Sequence, residues 1–250
     1  MTQKPPADAA NRHAHSSSLT GHLLELRSRL LKSAALLACL TVALYPFANS
    51  LYEFVAEPLR VWLPQGSTMV ATEVASPFLA PFKLTLVTAF CVSIPFILHQ
   101  LWSFISPGLY RHERRLAIPV LLTSVLLFAA GVTFAYGVVL PLVFAFFTQT
   151  GPSGVAIMTD INHYLDFVLK MFLAFGIAFE VPVAIILMVA SGIVSVATLK
   201  RGRPYVVVIC FVIGMLLTPP DVISQLLLAI PMWLLFELGL LCVRLWPLKR

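Results

Sequence analysis

The chain has 250 residues, 59% hydrophobic and only 11% charged, with a mean hydropathy of +0.92 and a net charge of +6. A soluble domain carries roughly 25% charged residues, which excludes one here. The apolar runs are long and continuous and do not alternate with period two, so the sequence predicts an all-α integral membrane protein and not a barrel. In a membrane protein the positive charge points to basic loops and anionic lipid, not nucleic acid.

Residues 1–20 are polar, with Pro5, Pro6 and a serine run at 16–18. They read as a disordered tail. His13 and His15 are too few for a metal site, and no short apolar core of a signal peptide follows them. Thr20 is positioned to cap a helix through Leu23, Leu26 and Leu30, which share one face, with Glu25, Arg29 and Lys32 on another. That segment is expected to lie on the membrane surface ahead of the first span, with Glu25 and Arg29 paired one helical step apart.

The first span is expected over residues 31–47. A long loop over 48–77 follows, broken into short pieces by Pro58, Pro64, Gly66 and Pro77. The second span covers about 78–102 and is interrupted by Pro81 and Pro95. The third covers about 116–147, the fourth 164–191, the fifth 204–217 and the sixth 222–243. Fourteen of the seventeen Lys and Arg residues fall in the two termini and the two even-side loops; Arg60 stands alone on the other side, and Lys83 and Lys170 lie within spans. This asymmetry places both termini in the cytoplasm. A six-span domain over 21–245 thus lies between the tail at 1–20 and a short cytoplasmic tail at 246–250. The fifth span and the apolar part of the sixth ahead of Glu237 reach only about 21–22 Å, against a hydrocarbon core of ~30 Å. They are expected to thin the bilayer locally.

The loop from Ser106 to Arg115 is the densest charge cluster. Orientation accounts for its arginines and not for Glu113, because acids contribute little to topology. The loop is read as helping to recognise a charged peptide. Within the fourth span, Glu180 has no partner at helical spacing. An intramembrane acid is expensive, so it should face water, be protonated, meet another subunit or hydrogen-bond a neighbouring span. Pro182 kinks the helix beside it. Asp166 stands one helical step from Lys170 and is expected to pair with it, Glu237 to snorkel at the membrane edge, and Asp221 to cap the sixth span. Cys39, Cys91, Cys210 and Cys242 read as small buried hydrophobes without metal spacing. The spacing of His22 and Glu25 resembles half a metal site, but no second cluster completes it. No hydrolase, kinase, nucleotide or zinc signature is present, so no cofactor, metal or catalytic residue is expected.

Four segments then carry a resemblance: His22 to Leu30, Phe104 to Arg115, Phe179 to Pro182, and Met215 to Asp221. Their sequences (HLLELRSRL, FISPGLYRHERR, FEVP and MLLTPPD) are similar to those of the TatC family, the multispanning core of the bacterial twin-arginine translocase. The likeness covers about residues 21–244, with no departure at a motif position. It implies a six-span protein shaped like a cupped hand in the bacterial inner membrane. Such a protein binds signal peptides with paired arginines, recruits the single-span partners TatB and TatA, and exports folded proteins using the proton motive force. Carried over by motif, Glu25 and Glu113 contact the signal arginines, and Arg27 and Phe104 belong to the same patch. Glu180 lies in the concave face. Met215, Thr218 and Gln225 fall where a partner helix docks, and Pro58, Pro95 and Asp221 are structural. Carboxylates suit the task, since each guanidinium can be held in a bidentate fork. The competing reading is a proton-coupled secondary transporter with Glu180 as its relay.

Overall fold

The computed structural model describes residues 7–61, 69–105, 117–150, 159–218 and 221–245. The described chain is helical, apart from a single parallel bridge between Val70 and Asp160. Five helical stretches are long and apolar enough to cross a membrane, and a sixth, Arg203–Leu217, is shorter.

α1 runs unbroken over Ala7–Leu44. No proline interrupts it, so the amphipathic lead-in is collinear with the first span instead of lying apart on the membrane surface, and Thr20 is interior to the helix. Leu26 and Leu30 are exposed on it. Pro46 ends α1 in a short 3-10 turn, Tyr45–Phe47. The next segment is also more regular than its prolines suggested. α2 spans Ala48–Arg60, and Leu51, Tyr52, Val55 and Ala56 turn one face inward. This is the i, i+1, i+4, i+5 spacing of a half-buried helix.

α3, Ser76–Ile105, keeps both Pro81 and Pro95 inside it. The third span is α4, Ala117–Phe134, then a π turn at Ala135–Val139, then α5, Leu140–Thr150. The fourth is α6, Ile161–Phe179, continued by α7, Val181–Ala190, with Pro182 in the first turn of α7. Pro182 lacks an N–H, and the chain bends at Glu180, whose own N–H bonds the Ile177 carbonyl at 3.0 Å in a tight turn. α7 ends before Gly192, at φ +72°, a left-handed conformation that glycine adopts without strain. α8, Val196–Arg201, α9, Arg203–Leu217, and α10, Val222–Leu245, complete the chain. α10 is longer than the apolar stretch ahead of Glu237: it passes through that residue, because the acid is paired with Arg203 at 2.6 Å.

The most extensive packing is α4 on α6, α1 on α3, and α10 on both α9 and α7. The largest core cluster joins α2, α3, the π turn, α5 and α6, with Leu84, Leu140, Val143, Leu165, Val168, Met171 and Phe175 fully buried. The third and fourth spans approach closely at two glycines. A Cβ on Gly131 would stand 2.5 Å from the Phe175 carbonyl oxygen, and one on Gly176 would stand 2.5 Å from the Phe128 ring.

Polar anchors hold α2 to this core. Pro58 has no N–H, so the Phe54 carbonyl four residues earlier lacks its helical donor. The Tyr136 hydroxyl, presented from the π turn, donates to it at 2.9 Å, and the two rings stack with centroids 4.9 Å apart. Buried Tyr164 donates to the next carbonyl, Val55, at 2.7 Å. A second anchor sits at the start of α6. Asp160 accepts from the Thr72 hydroxyl at 2.6 Å, the Thr72 N–H at 3.0 Å, and the Asn162 and His163 N–H groups at 2.8 and 3.1 Å. The Thr72 hydroxyl first, then these backbone donors, hold its carboxyl well below the usual carboxylate range.

Two expected outcomes follow. Tyr136→Phe should lower stability by about 1–2 kcal/mol by leaving a carbonyl without a donor. The same change should have a smaller effect in a Pro58→Ala background, where the helix regains its own N–H; thermal unfolding of the four proteins of this cycle in detergent is the measurement. Asp160 has a depressed folded pKa. Its contribution is therefore complete above the ordinary value of 3.8 and lost as pH falls below it. Asp160→Asn should be less stable at pH 7 and should lose less than the native protein as pH is lowered from about 4, read by thermal unfolding across pH.

Candidate functional site: two ends of a helical bundle

The first group of residues lies at the basic end of the bundle, on α1 and the end of α3. Arg29 donates twice to Glu25, Nε at 3.0 Å and Nη2 at 2.6 Å, both to Oε1. Its Nη1 reaches Gln100 Oε1 at 3.0 Å and its Nη2 the Ser103 carbonyl at 3.4 Å. The Glu25–Arg29 pair expected from spacing is therefore present. It also does something spacing could not show: it ties α1 to the end of α3. Arg27 is exposed one step away, beside Leu24, Ser28, Leu31 and Lys32. Phe104 falls in the last turn of α3, in the stretch whose side chains are not described; Glu113 and its loop lie outside the described residues. The structure thus puts Glu25 and Arg27 on the same turn of α1 but on different faces, and does not bear on their meeting Phe104 or Glu113.

The second group lies at the tip where α9 turns into α10. Asp221 accepts from the Ser224 N–H at 2.7 Å, the N-cap the sequence predicted. Thr218 is buried and donates to the Gly214 carbonyl at 2.9 Å. Gln225 Nε2 donates to the Phe211 carbonyl at 2.8 Å, and its Cγ would lie 3.1 Å from a Cβ on Gly214. Thr218 is therefore engaged within α9, and Gln225 ties α10 to α9. Met215 alone of the three is exposed, at 54%.

Glu180 stands at the bend between α6 and α7. Ser124, buried on α4, is a polar neighbour of its carboxyl. Its Oε1 is buried with no partner among the described residues. Pro95 lies inside α3 and Pro58 inside α2.

Several expected pairings change. Asp166 pairs with Lys83 of α3 at 2.9 Å, not with Lys170 on its own helix. Both partners lie a few residues inside their spans from the same end. That matched depth is the signal that helical spacing overlooked. Glu237 meets Arg203 across α9 and α10. Cys210 is buried, but Cys39 is exposed and Cys91 and Cys242 are half-buried. The free thiols therefore include one on the outer face of α1.

The comparisons with known proteins bear on the whole bundle. The profile of the family described as "Sec-independent protein translocase protein (TatC)" matches residues 21–231. The chain belongs to the TatC family. Among relatives, the TatC of Azotobacter chroococcum mcd 1 is 58% identical over 239 residues, 96% of this chain and 91% of that one. The TatC of Escherichia coli (strain K12) is 55% identical over 221 residues, covering 88% and 86%. A solved structure titled "Crystal Structure of Twin Arginine Translocase Receptor- TatC" superposes with a TM-score of 0.81 at 37% identity, covering 90% of this chain and 98% of that one. The chain is thus a multi-pass membrane component of the Sec-independent translocase and not an enzyme. TatC membership also leaves the transporter reading of Glu180 without support.

Proposed function

We propose that this TatC chain is the receptor and core subunit of its translocase. It binds paired-arginine signal peptides at the basic end of the bundle, with that end and both termini in the cytoplasm and the spans in the bacterial inner membrane. The distribution of Lys and Arg supports the orientation. Glu25 and Glu113 receive the two signal guanidiniums, and Arg27 and Phe104 complete the patch. Exposed Met215 forms the docking edge for single-span TatB-like and TatA-like partners, with Thr218 and Gln225 shaping the hairpin behind it. Folded cargo then crosses at the expense of the proton motive force. The solved relative's title describes that protein as a translocase receptor.

One observation carries the peptide assignment. Arg29 directs both its bonds to Oε1 of Glu25, and the carboxylate is 41% exposed. The carboxylate is thus fixed in orientation, while Oε2 makes no hydrogen bond among the described residues and is open to an incoming donor. Because Arg29 already neutralises much of Glu25, a second acid is needed to hold a dibasic motif. Glu113 is the acid in the opposite loop that the sequence offers.

Charge-assisted bonds contribute roughly 1.5–3 kcal/mol each, less where solvent screens them. Glu25→Ala and Glu113→Gln should each weaken capture of a paired-arginine peptide by about tenfold while leaving the unfolding temperature near that of the native protein. Photocrosslinking of such a peptide in membranes is the measurement. A protein lacking both acids that crosslinks normally refutes the assignment.

A further inference from the structure

A groove of about 450 Å³ opens on the face of the bundle between the fourth, fifth and sixth spans. Ala174, Ile177, Ile209, Ile213, Met232 and Phe236 line it, and the one charged group on its wall is Lys170. Lys170 is exposed and has no ion-pair partner among the described residues, because Asp166 is taken by Lys83. A lysine inside a membrane span is expensive unless its ammonium reaches water, a headgroup or an anion.

The depth of Lys170 identifies what it reaches. It lies nine residues into α6, about 13 Å along the axis. Yet it shares the groove with Leu217, the last residue of α9. α9 is only 15 residues long, about 22 Å against a ~30 Å core, so the lipid boundary beside it is drawn inward. Lys170 thus stands beside the end of the short hairpin, where a thinned bilayer would bring headgroups.

We propose that the groove holds one phospholipid, with an acyl chain against Ile177, Ile213 and Met232 and the phosphate on the Lys170 ammonium. Charge complementarity selects an anionic head on an apolar tail. The bound lipid covers the otherwise open seam between the fourth span and the α9–α10 hairpin.

The test is native mass spectrometry of the full chain in detergent, titrated with phosphatidylglycerol or with a diacylglycerol of the same chains that lacks the phosphate. The native protein should retain one tightly bound phosphatidylglycerol in preference to diacylglycerol. Lys170→Gln should weaken that binding about fivefold or more, and Lys170→Arg should preserve it. Ala174→Phe, which fills the groove and leaves the lysine, should weaken both lipids alike. Equal retention of phosphatidylglycerol by Lys170→Gln and the native protein, or no effect of Ala174→Phe, overturns the site. A photoreactive residue at Ile177 that captures protein instead of lipid in membranes gives the groove to a partner helix, and also overturns it.

Discussion

The close contact between the third and fourth spans is the constraint on which the rest depends. Gly131 lets the Phe175 backbone approach it, and Gly176 admits the Phe128 ring. Within a membrane there is little hydrophobic force between helices, so small residues that let backbones approach are what hold spans together. The fourth span is thereby fixed as the spine of the bundle. Asp160, Asp166, Lys170 and Glu180 all project from it. Asp160 meets Thr72 and Asp166 meets Lys83 of α3, while Glu180 lies near Ser124 of α4 and Lys170 is left at the groove. Move this helix by one side chain, and none of those pairings survives.

A second rule shapes the outer parts. Hydrocarbon offers no water to backbone groups left free by prolines. A carbonyl freed by a proline in or beside a span therefore calls for a local answer. At Pro58 the answer is a tyrosine hydroxyl from the π turn of the third span. At Pro182 it is a bend, which places Glu180 beside Ser124. Irregular backbone and polar side chains thus occur together, and they occur where the bundle must be shaped instead of straight. At the basic end the same economy appears in a different form. Arg29 fastens α1 to α3 and fixes the orientation of Glu25.

The six apolar stretches were legible because hydrophobic runs of this length have no other stable reading. So were the short fifth helix, the Asp221 cap and the Glu25–Arg29 pair, all of which depend on residues near in sequence. Pairings between distant helices were not. Lys170 was the natural local partner for Asp166, but Lys83 lies at the same depth on a neighbouring span, and tertiary packing decides between them. The pairing of Glu237 with Arg203, on the neighbouring helix of the hairpin, was equally hidden. α2 looked like a broken loop because Pro58 hid its periodicity, and the rescue by Tyr136 comes from a segment far along the chain. The family likeness rested on motifs, two of which fall partly among residues the structure does not describe. The proposed peptide site is therefore legible in the sequence, and only its α1 residues are described in three dimensions.

The contact at Gly131 is tested most directly by comparing Gly131→Ala with Gly137→Ala in thermal unfolding. Alanine is ordinarily the better helix former by up to about 1 kcal/mol. A Cβ at Gly137 meets nothing within 4 Å, so that change should be neutral or stabilising. At Gly131 the Cβ would press on the Phe175 carbonyl, and the change should instead cost about 1–3 kcal/mol. If Gly131→Ala proves as stable as Gly137→Ala, the third and fourth spans are not held by this approach, and the account of the bundle fails.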